Sequence, residues 1–110
     1  MSPDDLVTVH LGSPREKFWG VLLALTPSGV TVRGVLLESF EDWLRQATRA
    51  EPASLGAVTV FFPSHRLDRV ELDESSGAVE GLGARFRRLT GRDPRAELTG
   101  RVDAETVKVS

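Results

Sequence analysis

The alternation of apolar and polar residues near the N-terminus predicts three strands in succession. Residues 6–11 (LVTVHL) alternate with period two, the pattern of a strand with one buried face. Residues 18–25 form a dense apolar run rich in strand formers, and Gly20 within it indicates a bulge or a bend, because glycine bends a strand at low steric cost. Residues 30–35 alternate again. Short turns rich in glycine, proline and serine join the three segments, so we expect a meander.

The period then changes to that of a helix and back. Apolar side chains spaced three and four apart predict one helical face at Phe40, Trp43, Leu44 and Ala47. Strand character returns at 57–62 and 67–72, with a tight turn at 63–66 between them. A second amphipathic helix is predicted at about 78–90.

Together these elements predict a mainly β fold with two helices. Five strands would curl into a strongly bent, closed antiparallel barrel, with one helix inserted between strands three and four and a second after strand five. The barrel core would occupy about residues 6–73 of a single domain, 1–110. For the tail at 100–110 two alternatives stay open: a short added strand through Val107 and Val109, or a loose end.

The strand pattern resembles the first and second halves of the Sm-like (LSm) fold, over 6–35 and 58–72 respectively, about half the chain. The resemblance implies a small bent barrel. Sm proteins carry an aspartate and an asparagine in the loop that here reads Thr26-Pro27-Ser28-Gly29, and an arginine–glycine pair where this chain has Arg66-Leu67. Because those residues form the family's base-binding pocket, the resemblance implies the fold and not the RNA site.

Composition narrows the function classes. The chain has no cysteine, two histidines and a net charge of −2, which disfavours thiolate chemistry, a histidine-rich metal site and a diffuse cationic coat for nucleic acid. No apolar run approaches the roughly 20 residues of a membrane helix, and the N-terminus is acidic. We therefore expect a cytoplasmic protein without a membrane segment. The acidic group at 68–74 lacks the regular spacing of a metal loop, so no metal or other cofactor is predicted.

Basic side chains are the first candidate site. His65 and Arg66, in the tight turn, would bind an anion or ligand, or else cap the turn and pair with a nearby acid such as Asp68. The arginines near the C-terminus recur every three or four residues and would form either a phosphate-binding stripe or an acid-paired face; they include Arg85, Arg88 and Arg92. Charge is also segregated along the chain, with residues 38–80 net acidic and residues 81–101 net basic, so the two segments would attract one another within one molecule or between neighbours.

Aromatic side chains are the second candidate site. Phe61 and Phe62 are consecutive, so in a strand one of them must point away from the core and be covered by a helix or another subunit. With Trp43 they form the predicted interface. No catalytic constellation is present, since Ser64 and His65 are adjacent and lack a nucleophile-elbow motif. We therefore expect a non-catalytic interaction or assembly module that forms homo-oligomers or binds a protein partner; the alternative is an RNA- or other nucleic-acid-binding Sm-like protein.

Overall fold

A five-stranded antiparallel sheet is the frame of the protein. The computed structural model describes residues 1–49 and 56–100. The strands are β1 (Leu6–Leu11), β2 (Glu16–Thr26), β3 (Gly29–Leu36), β4 (Val58–Pro63) and β5 (Leu67–Leu72). The helices are α1 (Phe40–Thr48), α2 (Leu82–Thr90) and α3 (Pro94–Thr99). The prediction of a mainly β chain built on five antiparallel strands is confirmed.

The predicted closure of the sheet is wrong. The strand order is β4-β3-β2-β1-β5, so β4 and β5 are the two edges. A 3₁₀ turn at Ser64–Arg66 joins them directly, yet no ladder between them is formed within the part of the chain that the structure describes. Closure depends on whether the two ends of the sheet come within hydrogen-bonding distance, which is a long-range property that strand periodicity does not encode.

Both faces of the sheet are covered near its centre. One face carries a cluster drawn from the strands alone, which includes Val9, Leu22, Val32 and Phe62. The other face packs against the three helices. Five consecutive residues of β2, 18–22, are buried because they alternate between these two clusters, which explains why that strand reads as an apolar run rather than as an alternation.

The centre of the sheet depends on two opposed glycines. Gly20 of β2 pairs with Gly34 of β3, and a Cβ on Gly20 would lie 2.2 Å from the Arg33 carbonyl oxygen. The predicted bulge at Gly20 is misplaced: the register of the β2–β3 ladder shifts between Leu22 and Ala24. Position 20 requires glycine because the backbones of β2 and β3 approach so closely that a side chain would not fit between them.

The helices differ from the prediction at the C-terminal end. α2 begins at Leu82 instead of about residue 78, because Ser76 and Val79 form an isolated antiparallel bridge. α3 was not predicted; Asp93 caps it by accepting a hydrogen bond from the Arg95 backbone N–H, and Pro94 occupies its first turn. The two alternatives for the tail, a short strand through Val107 and Val109 or a loose end, fall on residues 101–110, outside the described residues. Within residues 1–49 and 56–100, none of the helices has the length and apolar character needed to cross a membrane.

Candidate assembly surface

Arg66 fastens the loop between β1 and β2. Its Nε donates to the Gly12 carbonyl oxygen at 3.0 Å, and its Nη2 donates to the Pro14 carbonyl oxygen at 2.9 Å. Glu16 supplies a weaker ionic partner at 3.4 Å. The acid that pairs with Arg66 is therefore Glu16 and not Asp68, and most of the hydrogen-bonding capacity of the guanidinium is used inside the molecule.

His65, the other predicted turn residue, is exposed at the same corner. Within the described chain its ring makes no hydrogen bond to a protein group. The His65 ring therefore faces solvent, whereas the Arg66 guanidinium is bound to backbone carbonyl groups of the same molecule. The structure does not bring His65 and Arg66 together as one anion-binding site.

Arg88 is paired with Glu80 in a bidentate arrangement. Its Nε and Nη2 each donate to one carboxylate oxygen at 2.8 Å. These hydrogen bonds lower the pKa of Glu80 and raise the pKa of Arg88. Because the pKa of Glu80 is depressed in the folded state, the pair supports the fold above the ordinary carboxyl range and its contribution is lost as pH falls through the lowered value.

The other two predicted arginines are also paired within the molecule. Arg85 of α2 binds Glu41 of α1 and so joins two helices. Arg92 donates from Nε to Glu97 at 3.2 Å and from Nη2 to the Ala47 carbonyl oxygen at 3.0 Å. The sequence left open whether these arginines form a phosphate-binding stripe or an acid-paired face. The geometry favours the acid-paired face, since each predicted arginine already has a carboxylate partner.

Glu71, a member of the acidic group at 68–74, is likewise engaged. His10 Nε2 lies 2.8 Å from its Oε1, and Arg69 Nε donates to its Oε2 at 2.8 Å. The hydrogen bond with His10, followed by that with Arg69, lowers the pKa of Glu71. No group of three histidine or acidic side chains suited to a metal ion occurs in the described ranges.

Asp73 has a structural role that sequence reasoning missed. Its Oδ1 accepts the Leu82 backbone N–H at 2.8 Å, and its Oδ2 accepts the Gly83 N–H at 2.7 Å. The same Oδ2 accepts the indole N–H of Trp19 at 3.2 Å. One carboxylate thus caps α2 and attaches it to β2. The capping residue lies nine positions before the helix, so the usual sequence signature of a cap immediately before the first turn is absent.

We expect Asp73→Ala to lower the free energy of unfolding by about 2–4 kcal/mol, the combined cost of a lost cap and of an unpartnered buried indole N–H. Trp19 is fully buried, and Asp73 is the acceptor for its indole N–H. Urea unfolding followed by tryptophan fluorescence measures the change. Asp73→Asn should lose less because it keeps an acceptor, and the exposed neighbour Glu74→Ala is the control; equal losses in all three variants would contradict this role.

Two of the three predicted interface aromatics lie in the core. Trp43 is 3% exposed and stacks on Phe86 with ring centroids 4.9 Å apart. Phe62 is buried and meets Phe18 edge-on at 5.5 Å. Both therefore stabilise the subunit itself, and neither is available to a partner.

Phe61 is the exposed member of the pair. Its side chain is 52% exposed, on the face of β4 opposite to Phe62. The ring lies against Gly29, where a Cβ would stand 2.8 Å from the Phe61 Cζ atom. The expectation that one of two consecutive phenylalanines points away from the core is confirmed, and none of the described helices covers it.

Other uncharged side chains surround Phe61. Leu23 is 37% exposed, and Thr59 lies on the same face of β4 as Phe61, whereas Val58, 51% exposed, lies on the opposite face with Phe62. We call Leu23, Thr59 and Phe61 the β4 surface. A shallow depression of about 400 Å³ adjoins it, lined by Leu23 and Thr59 together with Asp4, Arg33 and Thr99. β4 itself carries no charged residue.

A second depression, of about 380 Å³, lies at the other end of β2. Its lining is Arg15, Glu16, Lys17, Leu36, Leu37 and Glu38. Neither depression is lined by a histidine or a serine.

Comparisons of this chain with protein-family models, with curated proteins and with solved structures found no match.

Proposed function

We propose that this protein is a non-catalytic assembly module that associates with copies of itself through the β4 surface. The observation that carries the proposal is the half-exposed aromatic ring of Phe61 on a strand without charge at the edge of the sheet. Exposed apolar surface of this kind, centred on an aromatic residue, is typical of the core of a protein–protein interface.

Burial of the Phe61 ring would contribute favourably to association. Burying the exposed half of a phenylalanine removes roughly 100 Å² from water, which contributes about 2–3 kcal/mol. In a symmetric pair each copy provides the same surface, so this contribution counts twice. Leu23 adds apolar area, and β4 itself brings no charged side chain into the contact.

We also propose that the sheet is bent as in an Sm-like small barrel. Two observations support this. The turn at Ser64–Arg66 places the two edge strands next to each other in the chain, and the strand-lined cluster draws side chains from all five strands, with Phe62 from β4 and Leu67 and Val70 from β5. A single cluster fed by both edges requires the sheet to curve around it.

The pairing of Arg85, Arg88 and Arg92 with acids favours assembly over the nucleic-acid alternative. A phosphate group would have to replace a carboxylate at each of these arginines. No exposed aromatic residue for base stacking lies on α2, where Phe86 is fully buried.

Phe61→Ser is expected to convert a multimer into a monomer, because it removes the apolar centre of the β4 surface. Multi-angle light scattering over a tenfold range of concentration measures the mass, and urea unfolding checks that the fold persists. Leu89→Ser is the matched control, since Leu89 is 44% exposed on α2, away from β4; it should leave the multimer intact.

Two outcomes would contradict the proposal. One is a wild-type chain that is monomeric at every concentration. The other is binding of single-stranded RNA that weakens steeply with salt and disappears when Arg85 and Arg88 are changed to glutamate, which would favour the nucleic-acid alternative.

A further inference from the structure

Among the residues that the structure describes, two cations beside the start of β2 have no acidic partner. Arg15 and Lys17 are both exposed and both line the depression of about 380 Å³. Neither forms an ion pair with a described residue. Across the β1–β2 ladder Lys17 lies beside His10, a basic residue whose ring is bound to Glu71. The positive charge of Arg15 and Lys17 is therefore not neutralised by a contact, unlike that of the C-terminal arginines.

The acids of the same depression leave a small positive balance. Glu16 lies 3.4 Å from the Nη2 atom of Arg66 and is neutralised by it. Glu38 is exposed and forms no ion pair with a described residue. The three cations Arg15, Lys17 and Arg66 thus face the two carboxylates of Glu16 and Glu38, a balance of +1. A ligand with one negative charge complements this balance.

Two leucines give the depression an apolar wall that the core holds in place. Leu36 packs against the strand-lined cluster, and Leu37 packs against the cluster on the helix side. Both are half-buried, so part of each side chain lines the depression while the rest is fixed by its neighbours. The volume lies at the lower end of the range of about 300–1,000 Å³ that is usual for small-molecule sites.

Arg66 fixes the backbone that carries Arg15. It donates to the carbonyl oxygens of Gly12 and Pro14, which come just before Arg15, and to the carboxylate of Glu16, which follows it. The chain is therefore held on both sides of Arg15. A cation on a fixed backbone loses less conformational entropy when it binds an anion than one on a mobile loop.

We propose that this depression binds a small organic monocarboxylate. Arg15 and Lys17 would contact the carboxylate group, and Leu36 and Leu37 its apolar chain. The planar guanidinium of Arg15 matches the two oxygens of a carboxylate. A phosphate monoester carries about two negative charges, which exceeds the balance of +1 and brings more repulsion from Glu38. The site lies at the other end of β2 from the β4 surface, so the inference does not depend on the proposed self-association.

Titration of the full chain with hexanoate, followed by NMR of the Leu36 and Leu37 methyl groups, tests the proposal. We expect saturable shifts with a Kd of about 1 mM or lower, and binding that weakens as salt is added. 1-Hexanol has the same chain without the charge and should bind at least about tenfold more weakly. The double variant Arg15→Gln with Lys17→Gln should weaken hexanoate binding by at least about tenfold, because charge-assisted hydrogen bonds are lost.

Two further variants separate the site from the overall charge of the protein. Arg45→Gln with Arg87→Gln removes the same charge from exposed, ion-paired positions on α1 and α2 and should change the Kd by less than about twofold. Glu38→Gln removes the unpaired carboxylate and should tighten hexanoate binding by about two- to fivefold. Urea unfolding checks that each variant keeps its fold.

Four results would overturn the proposal: no saturable shift with hexanoate, equal binding of 1-hexanol, unchanged binding by the Arg15 and Lys17 double variant, or tighter binding of hexyl phosphate than of hexanoate. The last result would assign the site to phosphate. None of them bears on the light-scattering effect of Phe61→Ser, so the two proposals fail independently.

Discussion

Gly34→Ala should lower the free energy of unfolding by roughly 4 kcal/mol or more, the range of the most damaging single substitutions. A Cβ at this position would lie 2.0 Å from the Trp19 carbonyl oxygen and 2.6 Å from the Gly20 Cα atom. Both atoms belong to the backbone of β2, which cannot rotate aside as a side chain can. The β2–β3 ladder must separate at its centre, where both faces of the sheet are packed.

Urea unfolding followed by tryptophan fluorescence measures the effect, because Trp19 and Trp43 are both buried in the native state. Gly56→Ala is the matched control: none of the residues that the structure describes comes within 4 Å of a Cβ built there. That substitution should change stability by less than about 1 kcal/mol. If Gly34→Ala were as stable as Gly56→Ala, the close approach of β2 and β3 would be disproved.

The second large effect is expected for Trp43→Ala, which should cost about 3–5 kcal/mol, as for other large aromatic truncations in a core. Trp43 contacts the ring of Trp19 edge-on at 5.5 Å and stacks on Phe86 at 4.9 Å. It therefore joins α1 to β2 and to α2. Removing the indole leaves a cavity among these three elements, although the contact of Phe40 with Trp19 at 4.9 Å still joins α1 to β2.

The same variant decides between two roles of Trp43. As a core residue it should lower the urea midpoint at every protein concentration, and Trp43→Phe should recover much of the loss because a ring remains against Phe86. As an interface residue it would instead lower the mass in light scattering without changing the unfolding of the subunit. The second pattern would contradict the packing described above.

Local sequence patterns predicted most of the strands and helices, but they did not predict where each one begins and ends or which contacts its residues make. The period-two and period-3.6 patterns located five strands and the apolar face of α1, since those patterns depend only on neighbours in the chain. α3 is six residues long, too short for a periodic signal, although Asp93-Pro94 is a recognisable helix start. Gly20 was identified as special, but its partner Gly34 lies fourteen positions away, and only pairing explains both.

In the candidate site, too, some features were predicted from local sequence and others required the tertiary structure. Consecutive phenylalanines on a strand required one of them to be exposed, and the structure identifies Phe61 as that residue. The roles of the arginines required their partners, and the partners of Arg66 and Arg85 are respectively fifty and forty-four residues distant. Charge spacing along the sequence could not choose between an acid and a phosphate.

The amino-acid sequence by itself determined that this chain forms strands and amphipathic helices, because side-chain periodicity and backbone preference act over a few residues. Only the tertiary structure decided that Asp73 caps a helix, that Trp43 and Phe62 are internal, and that within the described residues the sheet stays open with β4 and β5 as its edges. Those outcomes depend on which distant segments meet, and the free energy of such contacts depends on burial and geometry that no local pattern contains.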